Sequence, residues 1–217
     1  MKQRQLIIAS VVLFGSLWGL AELGIGEVMW ARDIPRAPLL TAVGVIFLVM
    51  GRRVWSAPGS SLSLAAVASA FKFLQHPVWG CKVAAVLMVG FVFDLGFSLY
   101  EAWQRRRDPS FARASTGAVL TLSPILTFLS FIAFSYFARD VLLNPYWAMQ
   151  DKFTNYMFVQ GPIAAVLALP AALAGVRLSS ALTRAAATWD TGRWLAYRMA
   201  AAGSGAAGIA VALALRY

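Results

Sequence analysis

Seven apolar runs, each closed by charge, proline or glycine, constrain this chain more than any other feature of its sequence. They cover roughly residues 6–26, 39–50, 62–75, 82–103, 116–138, 156–176 and 199–215. The longer ones reach the ~20 residues that a helix needs to cross a bilayer. Lipid offers no water to complete backbone hydrogen bonds, so a spanning segment must satisfy them internally, as a helix does. The expected fold is all-α: a polytopic transmembrane helix bundle of six or seven helices, forming one integral membrane domain over residues 1–217. Residues 178–198 are less apolar and carry Arg184, Arg193, Arg198, Trp189 and Trp194, which reads as an amphipathic surface helix. Whether the final run spans decides between six helices and seven. Composition points the same way, with 13% of residues charged and 60% hydrophobic, against about 25% charged in soluble domains.

The net charge of +10 does not gather into one basic face suited to nucleic acid. Basic residues stand at the ends of the apolar runs, where they orient membrane helices. With the N-terminus cytoplasmic, the inner segments hold about twice as many Lys and Arg as the outer ones, among them Arg52, Arg53 and Arg105-Arg106-Arg107. The outer segments offset theirs with Glu27, Asp33, Asp140 and Asp151. This reads as a multi-pass protein of the cytoplasmic (inner) membrane, with residues 104–115 inside and 139–155 outside. The first run follows Lys2 and Arg4 but exceeds the apolar core of a signal peptide, and no suitable small-residue cleavage site follows it. It is expected to be a retained helix.

A single cysteine, Cys81, rules out an internal disulfide, and a single histidine, His76, rules out a His/Cys zinc cluster or a bis-histidine haem within the chain. No HExxH, GxSxG, P-loop or CxxC motif is present. The chain is therefore expected to need no cofactor and to be no enzyme, and any active transport would draw on a separate energising subunit or an ion gradient.

Charges inside the runs carry the functional information, because a carboxylate or ammonium in lipid needs a partner, a cavity or the interface. In Gly15-Ser16-Leu17-Trp18-Gly19-Leu20-Ala21-Glu22, the glycines share one helix face and allow close approach of a second helix, while Trp18 and Glu22 share a neighbouring face. Helical rise puts Lys72 and Asp94 at comparable depth in adjacent helices, so they are expected to meet. Either they are a structural ion pair, or they form the wall of a binding cavity or ion path. Trp18, Trp30, Trp79, Tyr146 and Trp147 read individually as an interfacial belt. Together with Glu22, Asn155 and Gln160 they can line an outward pocket for a flat heteroaromatic ligand. The candidate ligand-binding set is Trp18, Glu22, Trp30, Lys72, His76, Trp79, Asp94, Trp147 and Asn155, with no metal. Small-residue spacings at Gly15/Gly19, Ala66/Ala70, Ala164/Ala168/Ala172 and Gly203–Gly208 read as tight helix packing, or as a stripe that docks another subunit.

Within residues 14–103 the chain runs from Gly15, Trp18-Gly19 and Glu22 through Ile34-Pro35-Arg36 and Gly51-Arg52-Arg53 to Pro58-Gly59-Ser60-Ser61-Leu62. That succession, with the size and helix count, resembles the membrane-embedded substrate-binding subunits of energy-coupling-factor vitamin and metal importers. The resemblance implies a chain that binds a micronutrient in an outward-facing pocket, beside a coupling subunit and two ATPases, with a small-residue face on the coupling subunit. The cobalt and nickel branch of that family begins with a metal-binding Met-His segment; here residue two is Lys2, which points to a small organic cargo. Partners on this reading are other membrane subunits, the ligand and lipid. An integral accessory or anchor subunit of a larger membrane complex, and a stand-alone carrier or channel, are the other classes open to such a sequence.

Overall fold

Backbone groups in apolar surroundings are satisfied only by continuing the helix, so most of the helices outlast the apolar runs that mark them, and α5 and α8 run on through Pro124 and Pro170. In a computed structural model, which describes residues 2–30, 36–74, 80–108, 110, 111, 113–188 and 191–214, every regular element is helical. Helix α1 is Lys2–Trp30, α2 Arg36–Val54, α3 Ser60–Ala70, α4 Gly80–Arg107 and α5 Thr116–Tyr136. Two short helices follow, α6 Pro145–Ala148 and α7 Gln150–Asn155; then come α8 Gly161–Ala187 and α9 Thr191–Ala214.

The boundaries have local causes. Pro38 sits in the first turn of α2, where its missing N–H is no loss. Gly59, at φ +90°, turns the chain into α3. Ser115 caps α5 by accepting from Ala118 N, and Asn144 caps α6 by accepting from Tyr146 N. The chain tightens to a 3₁₀ turn over Phe71–Leu74 and widens to π turns over Phe137–Val141 and Tyr156–Gln160. The second π turn precedes Pro162, which cannot donate to the carbonyl of Phe158 and so loosens the ladder there.

Residues 178–198 do not form the single surface helix expected of them: α8 continues through them to Ala187, and α9 begins at Thr191. Most described side chains of the stretch are exposed, as a surface segment requires, although Leu182 packs on the core.

Five segments are long and apolar enough to cross a membrane: Gln5–Ile25, Arg36–Val54, Gly80–Arg107, Thr116–Val141 and Gln150–Ala187. Ser60–Leu74 is apolar but shorter. This is the make-up of a multi-pass membrane protein. Helix α1 packs on α2 and α3, α3 on α4, α4 on α5, α5 on α8, and α8 returns to α2, which closes a six-helix ring with α9 laid against the outside of α1. Phe14, Trp18, Leu48, Leu64, Phe93 and Phe97 fill the core.

Close helix approach is arranged by small residues. Gly15 lies against Val67 and Gly19 against Phe71, so that stripe is taken up inside the molecule. Ala164, Ala168 and Ala172 are likewise buried, whereas Ala66 and Ala70 face outward.

Candidate functional site

The ring holds a polar cluster at each end. At the end where α2 and α4 finish and α3 and α5 begin, the guanidinium of Arg52 is 4% exposed and almost fully used. Nη2 donates to Glu101 Oε2 at 2.8 Å and to Ser98 Oγ at 3.3 Å, and Nε donates to Glu101 Oε1 at 3.3 Å. Nη1 donates to the Ala57 carbonyl at 2.8 Å and to Ser60 Oγ at 3.2 Å, and lies 3.5 Å from Asp94 Oδ1. Glu101 also accepts from Ser56 Oγ and pairs with Arg105 at 3.7 Å. Asp94 accepts from the N–H groups of Gly59 at 2.7 Å and Ser61 at 3.1 Å, capping α3 from another helix. Such a bidentate, fully bonded arginine ties α2, α3 and α4 into one unit.

At the opposite end, Lys72 Nζ stands 2.7 Å from Glu22 Oε2 and donates to the Glu22 carbonyl at 3.4 Å. The Trp18 indole N–H donates to Glu22 Oε1 at 3.3 Å. The expected meeting of Lys72 with Asp94 is therefore incorrect. Asp94 lies opposite the first turn of α3, and Lys72 follows its last; the eleven residue steps from Ser61 to Lys72 span roughly 16 Å of helix. Helix α3 and its 3₁₀ turn end at Leu74, too short for counts taken from opposite ends to meet at mid-depth, and the partner Lys72 finds is on α1.

Trp18 is 1% exposed, and its indole lies against Gly44 of α2, so this ring has no free face for stacking on a ligand. It orients the Glu22 carboxylate instead. His76 and Trp79 lie outside the described residues, as does the side chain of Trp30.

Beside the Glu22–Lys72 pair, the same end carries an open cleft of about 380 Å³ lined by Tyr146, Trp147, Asp151, Lys152, Asn155, Tyr156 and Gln160. The turns that build it are polar at their tips and aromatic at their base. Trp147 is held edge-on by Phe134 at 5.2 Å and by Tyr156 at 4.8 Å, and Tyr156 stacks on Phe131 at 4.7 Å. Gln160 Nε2 donates to Asn155 Oδ1 at 3.0 Å, which aligns the two amides along one wall. Asp151 and Lys152 place opposite charges at the mouth. Tyr156 lines the cleft with its ring packed among Phe131, Phe134 and Trp147.

The structure thus brings together Trp18, Glu22 and Lys72 in one group, and Trp147 with Asn155 in another, and leaves Asp94 at the far end. Sequence reasoning misses Arg52, Glu101 and Tyr156 as site residues. A signal for the first two is present: Asp94, Ser98 and Glu101 recur at helical spacing on one face of α4, and such a face needs a cation. Among the described residues no cluster of three or more His, Cys, Asp or Glu is placed to hold a metal. No protein-family model, curated protein or solved structure matches the chain.

Proposed function

We propose that this chain is a substrate-binding membrane subunit that takes a small organic, ring-bearing ligand at the α6–α7 end of the bundle and relies on separate subunits for energy. The observation that carries the reading is the cleft itself. Its volume lies in the range of ligand pockets, and it combines buried rings, aligned amides and one charge of each sign. The same end of the bundle holds the Glu22–Lys72 pair, and a buried ion pair is often no more stable than an apolar pair of the same volume. On this reading the chain lies in the inner membrane with a cytoplasmic N-terminus, six spans from the ring and α9 as a seventh, and the cleft opens outward. Half-exposed Tyr146 supplies stacking surface with the buried Trp147 ring behind it, Asn155 and Gln160 supply hydrogen bonds, and Asp151 and Lys152 charge complementarity.

The test is gentle purification of the tagged chain, with mass spectrometry of both the proteins and the small molecules that accompany it. A coupling subunit, ATPases and a small aromatic compound should come with it, and the compound should be lost from a folded Asn155→Ala, Gln160→Ala variant. Recovery of a different membrane complex, with no small molecule, would replace this function by that of an accessory subunit.

A further inference from the structure

At the other end of the ring, positive charge is left over. Arg53 is half-buried and donates from Nη1 to the Ala114 carbonyl at 3.2 Å. Arg113 is exposed and lines the same notch as Arg53. Among the described residues neither has a carboxylate partner, because Glu101 is taken by Arg52 and Arg105. The acid of the connecting loop, Asp108, accepts instead from the N–H and hydroxyl of Ser110 at 2.9 and 2.6 Å. Like charges without a counterion are unfavourable, and the fold places both at the rim of a notch walled by Phe97, Ala114 and Val119, with the mutually neutralised Arg52–Glu101 pair at its inner side.

We infer that Arg53 and Arg113 form a binding site for the phosphate headgroup of an anionic phospholipid. The notch measures about 10 Å³, room for one water, so the phosphate sits on its rim between the two guanidinium groups and does not enter. The choice of a lipid over a free anion rests on depth. Three apolar segments end or begin here, at Val54, Arg107 and Thr116, so the arginines stand at the level where a bilayer presents its headgroups. Guanidinium forks suit phosphate oxygens better than an ammonium does.

The experiment titrates the purified full-length chain, delipidated in neutral detergent, with phosphatidylglycerol in mixed micelles and follows its thermal midpoint. Phosphatidylcholine and inorganic phosphate serve as separate arms. The expected result is a saturable rise with phosphatidylglycerol alone, and a half-saturating concentration at least tenfold higher for Arg53→Gln, Arg113→Gln. The exposed pair Arg177→Gln, Arg184→Gln removes the same charge elsewhere and should leave the titration unchanged. Should the double variant fail to fold, Arg113→Gln alone is expected to weaken the titration severalfold. Equal weakening by both pairs would reduce the effect to general charge, and an equal response to inorganic phosphate would make the site one for a free anion; either overturns the inference.

Discussion

A cation inside an apolar bundle persists only where acceptors meet the N–H groups it carries inward. Arg52 meets that condition with two carboxylates, two hydroxyls and a carbonyl, and Lys72 meets it with the carboxylate and carbonyl of one residue, Glu22. Removing one member of such a pair strands the other, which typically costs about 3–5 kcal/mol. Lys72→Met and Glu22→Gln should each lower the thermal midpoint of the purified protein, and the double variant should regain much of the loss. Lys72→Met combined with Asp94→Asn should instead show additive losses, since those residues are far apart. Arg52→Met should be among the most damaging single changes, read as folded yield, because it leaves Glu101 without its main partner and Asp94 without its nearby cation. That Lys72 needs an acid is legible from its place in an apolar run; which acid is not, because the choice depends on how α1 and α3 rotate against each other. Arg52 reads in the sequence as an ordinary end-of-helix charge because basic residues collect at such ends anyway.

Helix against helix, the decisive contacts are between backbones. A methyl group at Gly175 of α8 would stand 2.7 Å from the Ile46 carbonyl of α2, a group that cannot turn aside, and 2.9 Å from Val49 Cβ. Gly175→Ala should therefore cost about 1–3 kcal/mol through overpacking. Gly203→Ala on α9, with nothing within 4 Å, should leave the thermal midpoint nearly unchanged. If both behave alike, the α2–α8 contact is not as close as described. The existence and order of the apolar helices can be read from the sequence, since hydrophobicity alone sets them. Their ends cannot, because Arg36, Arg52 and Arg53 continue a helix beyond the point where hydropathy closes it. The cleft at the α6–α7 end is half legible: Trp147 and Asn155 stand out in the sequence, but the π turn that brings Tyr156 and Gln160 beside them has no signature beyond the proline after it.

For the whole molecule, the proposed orientation puts residues 104–115 in the cytoplasm and 139–155 outside. In a Cys81→Ser background, an impermeant thiol reagent applied to intact cells should label Asp151→Cys and spare Ser110→Cys until the membrane is opened. The reverse pattern would invert the bundle and, with it, the side from which the cleft is reached.

The closed ring also sets a timetable for synthesis. Helix α8 fills the place between α2 and α5, yet it is made after both. While the ribosome is still extending α5, α2 has α1 and α3 beside it and a bare flank where its broadest neighbour will come. That flank stays open until α8 docks against it. A chain cut short before α8 would be an unclosed bundle, with the α2 and α5 faces that α8 covers left bare.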